Sequence, residues 1–213
     1  MKPTNMLTVV TLCKVILNLC VLNAQSLRNK VSDLRDILTE RCIDIMVVTE
    51  SWLKPTDPDY GFRVNELCGE DYNYLSVPRP KKSGGGISII YKTGVTAKCL
   101  KPAKKFKTFE TSLVVFNSSF IVVTIYRPPS NANRKLFLEE VDDLVSQVCV
   151  DHSNVLICGD VNMHFESAQD GFAQRFLSQL GDFGFSDYIG GRHTHCRGGS
   201  LDVVLSSGVD CKD

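Results

Sequence analysis

The chain has 213 residues, 43% hydrophobic and 23% charged, a globular composition that excludes a disordered chain and suits one domain with a real core. Lys plus Arg and Asp plus Glu balance at 24 each, so bulk charge attracts no nucleic acid and any DNA must be held by a local patch. The nine cysteines are odd in number, irregularly spaced and without a zinc-type pattern, which excludes a disulfide framework and implies a reducing compartment, nucleus or cytoplasm.

The first apolar stretch, "MLTVVTLCKVILNLCVL", spans residues 6–22 and carries Lys14 in its middle. It is too short and too polar for a membrane span, and a secretory signal is the less favoured reading. The expectation is a leader over residues 1–16 and a domain over 17–213 whose first strand ends at Asn23. Leu27, Val31, Leu34, Ile37 and Leu38 then fall at helical spacing, giving an amphipathic helix over 27–41. "IDIMVVT" (43–49) is continuous enough for a strand covered on both faces, and it stops at Glu50. Pro55, Pro58 and Gly61 mark a loop. "GGGISIIYKTG" (84–94) reads as a strand, and "TSLVVF" with "FIVVTIY" as a hairpin turning at Asn117. The hairpin ends in Tyr126 and "RPP". A helix follows through Leu136, Val141, Leu144, Val145 and Val148, then the strand "VLIC", a third helix from Phe172 to Leu180, and a strand over 201–206 led by Asp202. The class is mixed α/β. Polar residues collect at strand ends: Asn23, Glu50, Tyr126, Asp160 and Asn162. Sheets of this kind bind ligands there.

Asp160 and Asn162 lie two apart in "NVLICGDVNMHFES". In extended backbone they face one side, where a carboxylate can activate a water and an amide can hold it. The competing reading is a turn in which both side chains bond their own backbone. Glu50 suits a hard cation such as magnesium, which takes one or two carboxylates with waters and phosphate. It equally suits a cap or a solvated surface position.

Taken together, "LNAQSLRNK", "IDIMVVTESWL", "GGGISIIYK", "VTIYRPPSN", "VLICGDVNMH" and "THCRGGSLDVVLSS" resemble the endonuclease domain of non-LTR (LINE-type) retrotransposons. That domain belongs to the DNase I-like endonuclease/exonuclease/phosphatase superfamily. "YRPP" and "GDxNxH" are closer to its chicken-repeat-1, L2 and Jockey-like branches. The resemblance covers about residues 17 to 208. It implies a four-layer α/β/β/α sandwich and hydrolysis of DNA phosphodiesters with Mg2+ or Mn2+, in a monomer fused to a reverse transcriptase and without a membrane. It further implies that Asn23 and Glu50 serve the metal, Tyr126 reaches the scissile phosphate, and Asp160 with Asn162 prepares the water. Thr194 would contact DNA, and Asp202 would orient a histidine.

The family places an Asp-His pair on a further strand after "LDVVLSS", whereas no His lies beyond His195 in this sequence. The expectation is a sandwich lacking its last strand, truncated at the C-terminus, with an exposed edge and little or no nuclease activity. Candidate phosphate contacts are Arg79, Lys81, Lys82, Lys98, Lys101, Lys104, Lys105 and Lys107, with Arg127 and Arg134 beside Tyr126. The lysines equally suit solvated rims that protect a sheet edge. Two other functions compete with the nuclease: a non-catalytic remnant or interaction module of the same fold, and another phosphoesterase of the superfamily.

Overall fold

The structure is a computed structural model that describes residues 8–12, 17–77, 79, 84–130, 132–167, 169–190, 192–194 and 200–212. Two six-stranded sheets face each other. One contains β1 (Thr8–Leu12), β2 (Leu17–Asn23), β3 (Ile45–Thr49), β4 (Tyr72–Val77), β5 (Ile87–Lys92) and β12 (Cys211–Lys212), in the order β12-β1-β2-β3-β5-β4. The other contains β6 (Ala97–Leu100), β7 (Glu110–Phe116), β8 (Phe120–Tyr126), β9 (Val155–Asp160), β10 (Ser186–Asp187) and β11 (Asp202–Ser207), in the order β10-β11-β9-β8-β7-β6. Helices α1 (Val31–Glu40) and α2 (Tyr60–Cys68) cover the first sheet, and α3 (Arg134–Asp151) and α4 (Gly171–Asp182) the second. This is the α/β/β/α sandwich expected.

Strand alternation divides the core. In β2, Leu17, Leu19 and Val21 face the opposite sheet while Cys20 and Leu22 face the helices. In β8, Phe120, Val122 and Tyr126 face inward while Ile121, Val123 and Ile125 pack on α3 and α4. In β9, Leu156 and Cys158 face inward, as Val204 does in β11. By this period Asn23, Tyr126, Asp160 and Asp202 all fall on inward-facing positions at one end of the sandwich. The parallel pairs β2–β3 and β8–β9 bring their C-terminal ends together, and antiparallel β11 places Asp202 opposite Asp160.

Several elements depart from the sequence reading. Residues 8–12, within the stretch expected as a leader, pair antiparallel with β2, and β12 holds the outer position beside β1. Helix α1 begins at Val31 and not near 27. Ala24, Ser26 and Leu27 give their N–H groups to the carbonyls of Thr49, Glu50 and Ser51 at 3.0, 2.8 and 2.9 Å, which holds that segment as a loop. Helix α2 begins inside the Pro-Gly stretch read as a loop; only Leu67 and Cys68 are buried on it, so it carries little apolar periodicity. Cys42 is exposed, whereas Cys20, Cys68, Cys158 and Cys211 are buried. The turn at Asn117 is tight, with Asn117 and Ser118 both left-handed (φ 50° and 51°). Asn117 Oδ1 accepts from Thr96 N at 3.0 Å, an internal role for the amide.

Gly159 explains the "GD" of the motif. It adopts φ 130° in β9, and a Cβ there would lie 2.2 Å from the Ile125 carbonyl oxygen of β8. Only a residue without a side chain permits the close strand approach that delivers Asp160 to the end of the sandwich.

Candidate active site

The polar cluster is a junction between the two sheets. Asn23 Nδ2 donates to Asp160 Oδ2 at 2.5 Å and to Glu50 Oε1 at 3.1 Å. Tyr126 Oη donates to the same Glu50 Oε1 at 2.9 Å. Asn23 Oδ1 accepts from Gln25 N at 3.0 Å, which fixes the amide's orientation. Glu50 and Trp52 hold left-handed backbone (φ 52° and 54°), kept there by bonds from Ser51 N and Trp52 N to Gly86 and Gly85 oxygens at 3.1 and 3.0 Å. Strain of this kind costs on the order of 1 kcal/mol per residue and persists where surrounding structure enforces it.

Burial is the dominant electrostatic influence. It pushes the Asp160 carboxyl up to about 6, with the charge of Glu50 adding to the rise and the bonds from Asn23 and Asn162 opposing it. Burial also drives Asp202 well above the usual carboxylate range, and the neighbouring Asp160 charge adds to it. The Tyr126 phenol is raised by burial first and by Glu50 second, so it stays a neutral donor at any ordinary pH.

Of the two sequence readings of "GDVN", the structure shows the local turn for Asn162, while the second oxygen of Asp160 is turned to the opposite sheet. Asp160 Oδ2 faces Asn23 across the sheets, while Asp160 Oδ1 accepts from Asn162 N at 2.9 Å in a local turn. Asn162 is left-handed (φ 49°) and its amide donates to Arg127 O at 2.7 Å, so it does not extend alongside Asp160 toward a shared water. It shapes the loop.

The DNA contacts expected of Arg127 and Thr194 are corrected by burial. Arg127 is 4% exposed. It donates to the Val161 and Asn162 carbonyls at 3.1 and 3.2 Å and to Ser130 O, and it lies over the Phe137 and Phe172 rings. The "YRPP" arginine thus ties the end of β8 to the "GDVN" loop. Thr194 is 2% exposed, and its Oγ1 accepts from Leu201 N and Asp202 N at 3.1 and 3.2 Å, bracing the start of β11. Lys104 pairs with Asp143 on α3, and Lys105 is exposed on the same loop. Lys81 and Lys82 lie outside the described residues. Lys98 sits on the edge strand β6, a position where a lysine guards against strand addition. His164 bonds Glu166 at 2.8 Å with its side chain 63% exposed, away from the cluster.

The residues with no place in the expected site are Glu110 and, beyond its place among the basic residues, the specific setting of Arg79. Glu110 starts β7, opposite Tyr126 in the ladder; it accepts from Arg79 Nε and, at 2.7 Å, from Gly86 N. A charged residue at the head of an apolar strand is the signal that marks it.

A divalent cation is the group the fold implies, and the donor set fits one. Glu50 and Asp160 offer hard oxygens within one hydrogen-bonded cluster, Asn23 turns its amide nitrogen to both, and Asp202 Oδ1 is buried without a hydrogen-bond partner among the described residues. Among those residues no group of three or more His, Cys, Asp or Glu could hold a metal alone. A two-carboxylate site is the usual form for magnesium, which keeps waters and takes phosphate oxygens. No described helix is long and apolar enough to cross a membrane.

Two facing mixed sheets between helix layers, with acids and an amide converging at strand ends, define a protein of the DNase I-like α/β class. The chain belongs to the endonuclease/exonuclease/phosphatase family, which it matches over residues 17–212. Solved structures agree on the fold. The 3′ phosphatase NExo from Neisseria, bound to a product DNA hairpin, is 15% identical with a TM-score of 0.65, over 89% of this chain and 86% of that one. The endonuclease domain of TRAS1, a telomere-specific non-LTR retrotransposon, is 13% identical with a TM-score of 0.64, over 89% and 84%. An AP endonuclease from Archaeoglobus fulgidus is 16% identical with a TM-score of 0.65, over 90% and 86%. No curated protein matches the chain.

Proposed function

We propose that this chain is a phosphodiesterase that cleaves DNA, of the kind that non-LTR retrotransposons couple to a reverse transcriptase. The observation that carries the reading is the junction of Asn23, Glu50, Tyr126, Asp160 and Asp202, drawn from two sheets into one site. The buried arginine of "YRPP" bonded to the "GDVN" loop supports the retrotransposon branch, since the two motifs form one unit. DNA as substrate is in keeping with the DNA-bound Neisseria phosphatase of the same fold.

Glu50 would hold a magnesium or manganese ion, with its carboxylate set by the Asn23 amide, and the ion when bound supplies positive charge to the phosphate under attack. Asp160 in its ionised form takes the proton of the attacking water. Asn23 keeps Asp160 and Glu50 at fixed separation through one amide nitrogen. Tyr126, neutral and held by Glu50, presents a hydroxyl at the phosphate. Asp202 backs Asp160 from the adjacent strand.

The test is nicking of supercoiled plasmid, and cleavage of duplex, abasic and 3′-phosphorylated oligonucleotides, with Mg2+ or Mn2+. Against the expectation of little or no activity, the assembled cluster predicts that wild type nicks DNA, and Glu50→Gln and Asp160→Asn should each lose at least about 10²-fold in rate. Hydrolysis of a 3′-phosphate alone would move the reading to another phosphoesterase of the family. No turnover of any substrate by folded wild type would leave a non-catalytic module.

A further inference from the structure

Arg79 lies between β4 and β5 of one sheet and reaches a residue of the other. Its Nε donates to Glu110 Oε1 on β7, and its guanidinium carbon lies 5.7 Å from the Tyr126 ring centroid. Glu110 is itself fixed, because its other oxygen accepts from Gly86 N at 2.7 Å. Gly85 makes room for the group: a Cβ there would lie 2.6 Å from Arg79 Cζ. One edge of the guanidinium is thus clamped. Its Nη atoms bond no described residue, and the side chain is 20% exposed. A planar cation with one edge held and two nitrogens open matches the paired oxygens of a phosphate.

The placement also says which phosphate. The Tyr126 hydroxyl, at the far end of the ring, belongs to the Glu50 cluster. The guanidinium lies over the ring and bonds Glu110, not the Glu50 cluster. A group there meets a neighbour of the phosphate being hydrolysed. It also answers an electrostatic problem, because Glu50 and ionised Asp160 repel a polyanion unless a cation stands near them. We propose that Arg79 forms a second phosphate subsite, beside the scissile position, that selects a polynucleotide over a substrate with a single phosphate. The proposal rests on the phosphodiesterase reading given above.

The experiment measures binding and turnover separately. Fluorescence anisotropy with a labelled duplex oligonucleotide in EDTA, over a range of salt, compares wild type with Arg79→Ala and Arg79→Lys. Arg79→Ala should weaken binding by about tenfold and flatten the log Kd against log salt slope by about 1. Arg79→Lys should keep the slope and lose affinity, since a point charge replaces a fork. The ratio of kcat/KM for the oligonucleotide over bis(4-nitrophenyl) phosphate should fall by about tenfold in Arg79→Ala. Unchanged affinity and slope in an Arg79→Ala protein that melts like wild type would overturn the subsite. Should that variant melt early, wild-type affinity in Arg79→Lys would overturn it instead. Failure of the hydrolase reading is distinct: no cleavage of any phosphodiester, with the Arg79-dependent salt slope still present.

Discussion

Asn23 and Asp160 are 137 residues apart in the chain, lie on different sheets, and share a 2.5 Å hydrogen bond. The bond joins the end of β2 to the end of β9 across the gap between the sheets. It makes the candidate site a structural closure as well as a chemical one, because the groups that would act on a phosphate also hold the two sheets in register at that end.

One consequence concerns stability without metal. Burial and neighbouring carboxylates raise Asp160 to about 6 and Asp202 well above its usual range, so the protonated forms favour the fold. The Asp160 contribution is complete below its ordinary value near 3.8 and is lost as pH rises through about 6. In EDTA, Asp160→Asn should therefore melt at or above the wild-type temperature at pH 7.5 and gain less at pH 5. Mg2+ should raise the wild-type Tm more at pH 7.5 than at pH 5. Differential scanning fluorimetry reads both, and a sharp destabilisation by Asp160→Asn at pH 7.5 would contradict the assignment.

Tyr126 donates to Glu50 at 2.9 Å and is packed between the sheets. Tyr126→Phe keeps the ring and removes only the hydroxyl. The expected result is a fall in kcat of roughly 10–10³-fold with a Tm within a few degrees of wild type.

Glu140 gives a pH dependence of opposite sign. It is 6% exposed on α3 and accepts from Lys107 N, Thr108 N and Thr108 Oγ1 at 2.9, 2.9 and 2.6 Å. Burial alone would raise its pKa, but these bonds outweigh burial and hold it below the ordinary Glu value. Its contribution is complete above the unfolded pKa near 4.5 and is lost as pH falls toward the folded one. Glu140→Ala leaves two backbone N–H groups without an acceptor and should cost about 2–4 kcal/mol in urea unfolding at pH 7, and less at pH 4.

Gly159→Ala should be among the most damaging small substitutions. The added methyl would meet the Ile125 carbonyl oxygen at 2.2 Å, in backbone at φ 130°. Separation of β8 from β9 is the only relief, at a cost of about 3 kcal/mol or more. Soluble yield and urea midpoint should both fall, while Gly94→Ala, with open space around its Cβ, should leave them within about 0.5 kcal/mol.

The central strands were legible because they are continuous apolar runs with polar stops. Residues 43–49, the hairpin around Asn117 and "VLIC" fall on β3, β7, β8 and β9. The elements that escaped notice lie at edges or carry weak patterns. Every residue of β4 is only partly buried or exposed, β6 is an edge strand of four residues, and α2 buries two side chains. Their places are set by partners and not by their own periodicity. The same distinction holds in the site. Asn23, Glu50, Tyr126, Asp160 and Asp202 stand out as polar residues at the limits of apolar strands, whereas Arg127 and Thr194 look alike in sequence whether they face DNA or a carbonyl.

The sequence by itself determined which strands exist, which residues end them and the family to which they compare, because hydrophobic period and interruption are local properties of the chain. The tertiary structure alone decided that Asp160 faces Asn23, that Asn162 turns back on Arg127, and that Glu110 and Arg79 stand beside Tyr126. Those relations depend on the packing of two sheets against each other, and a contact across that gap leaves no trace in the spacing of residues along either strand.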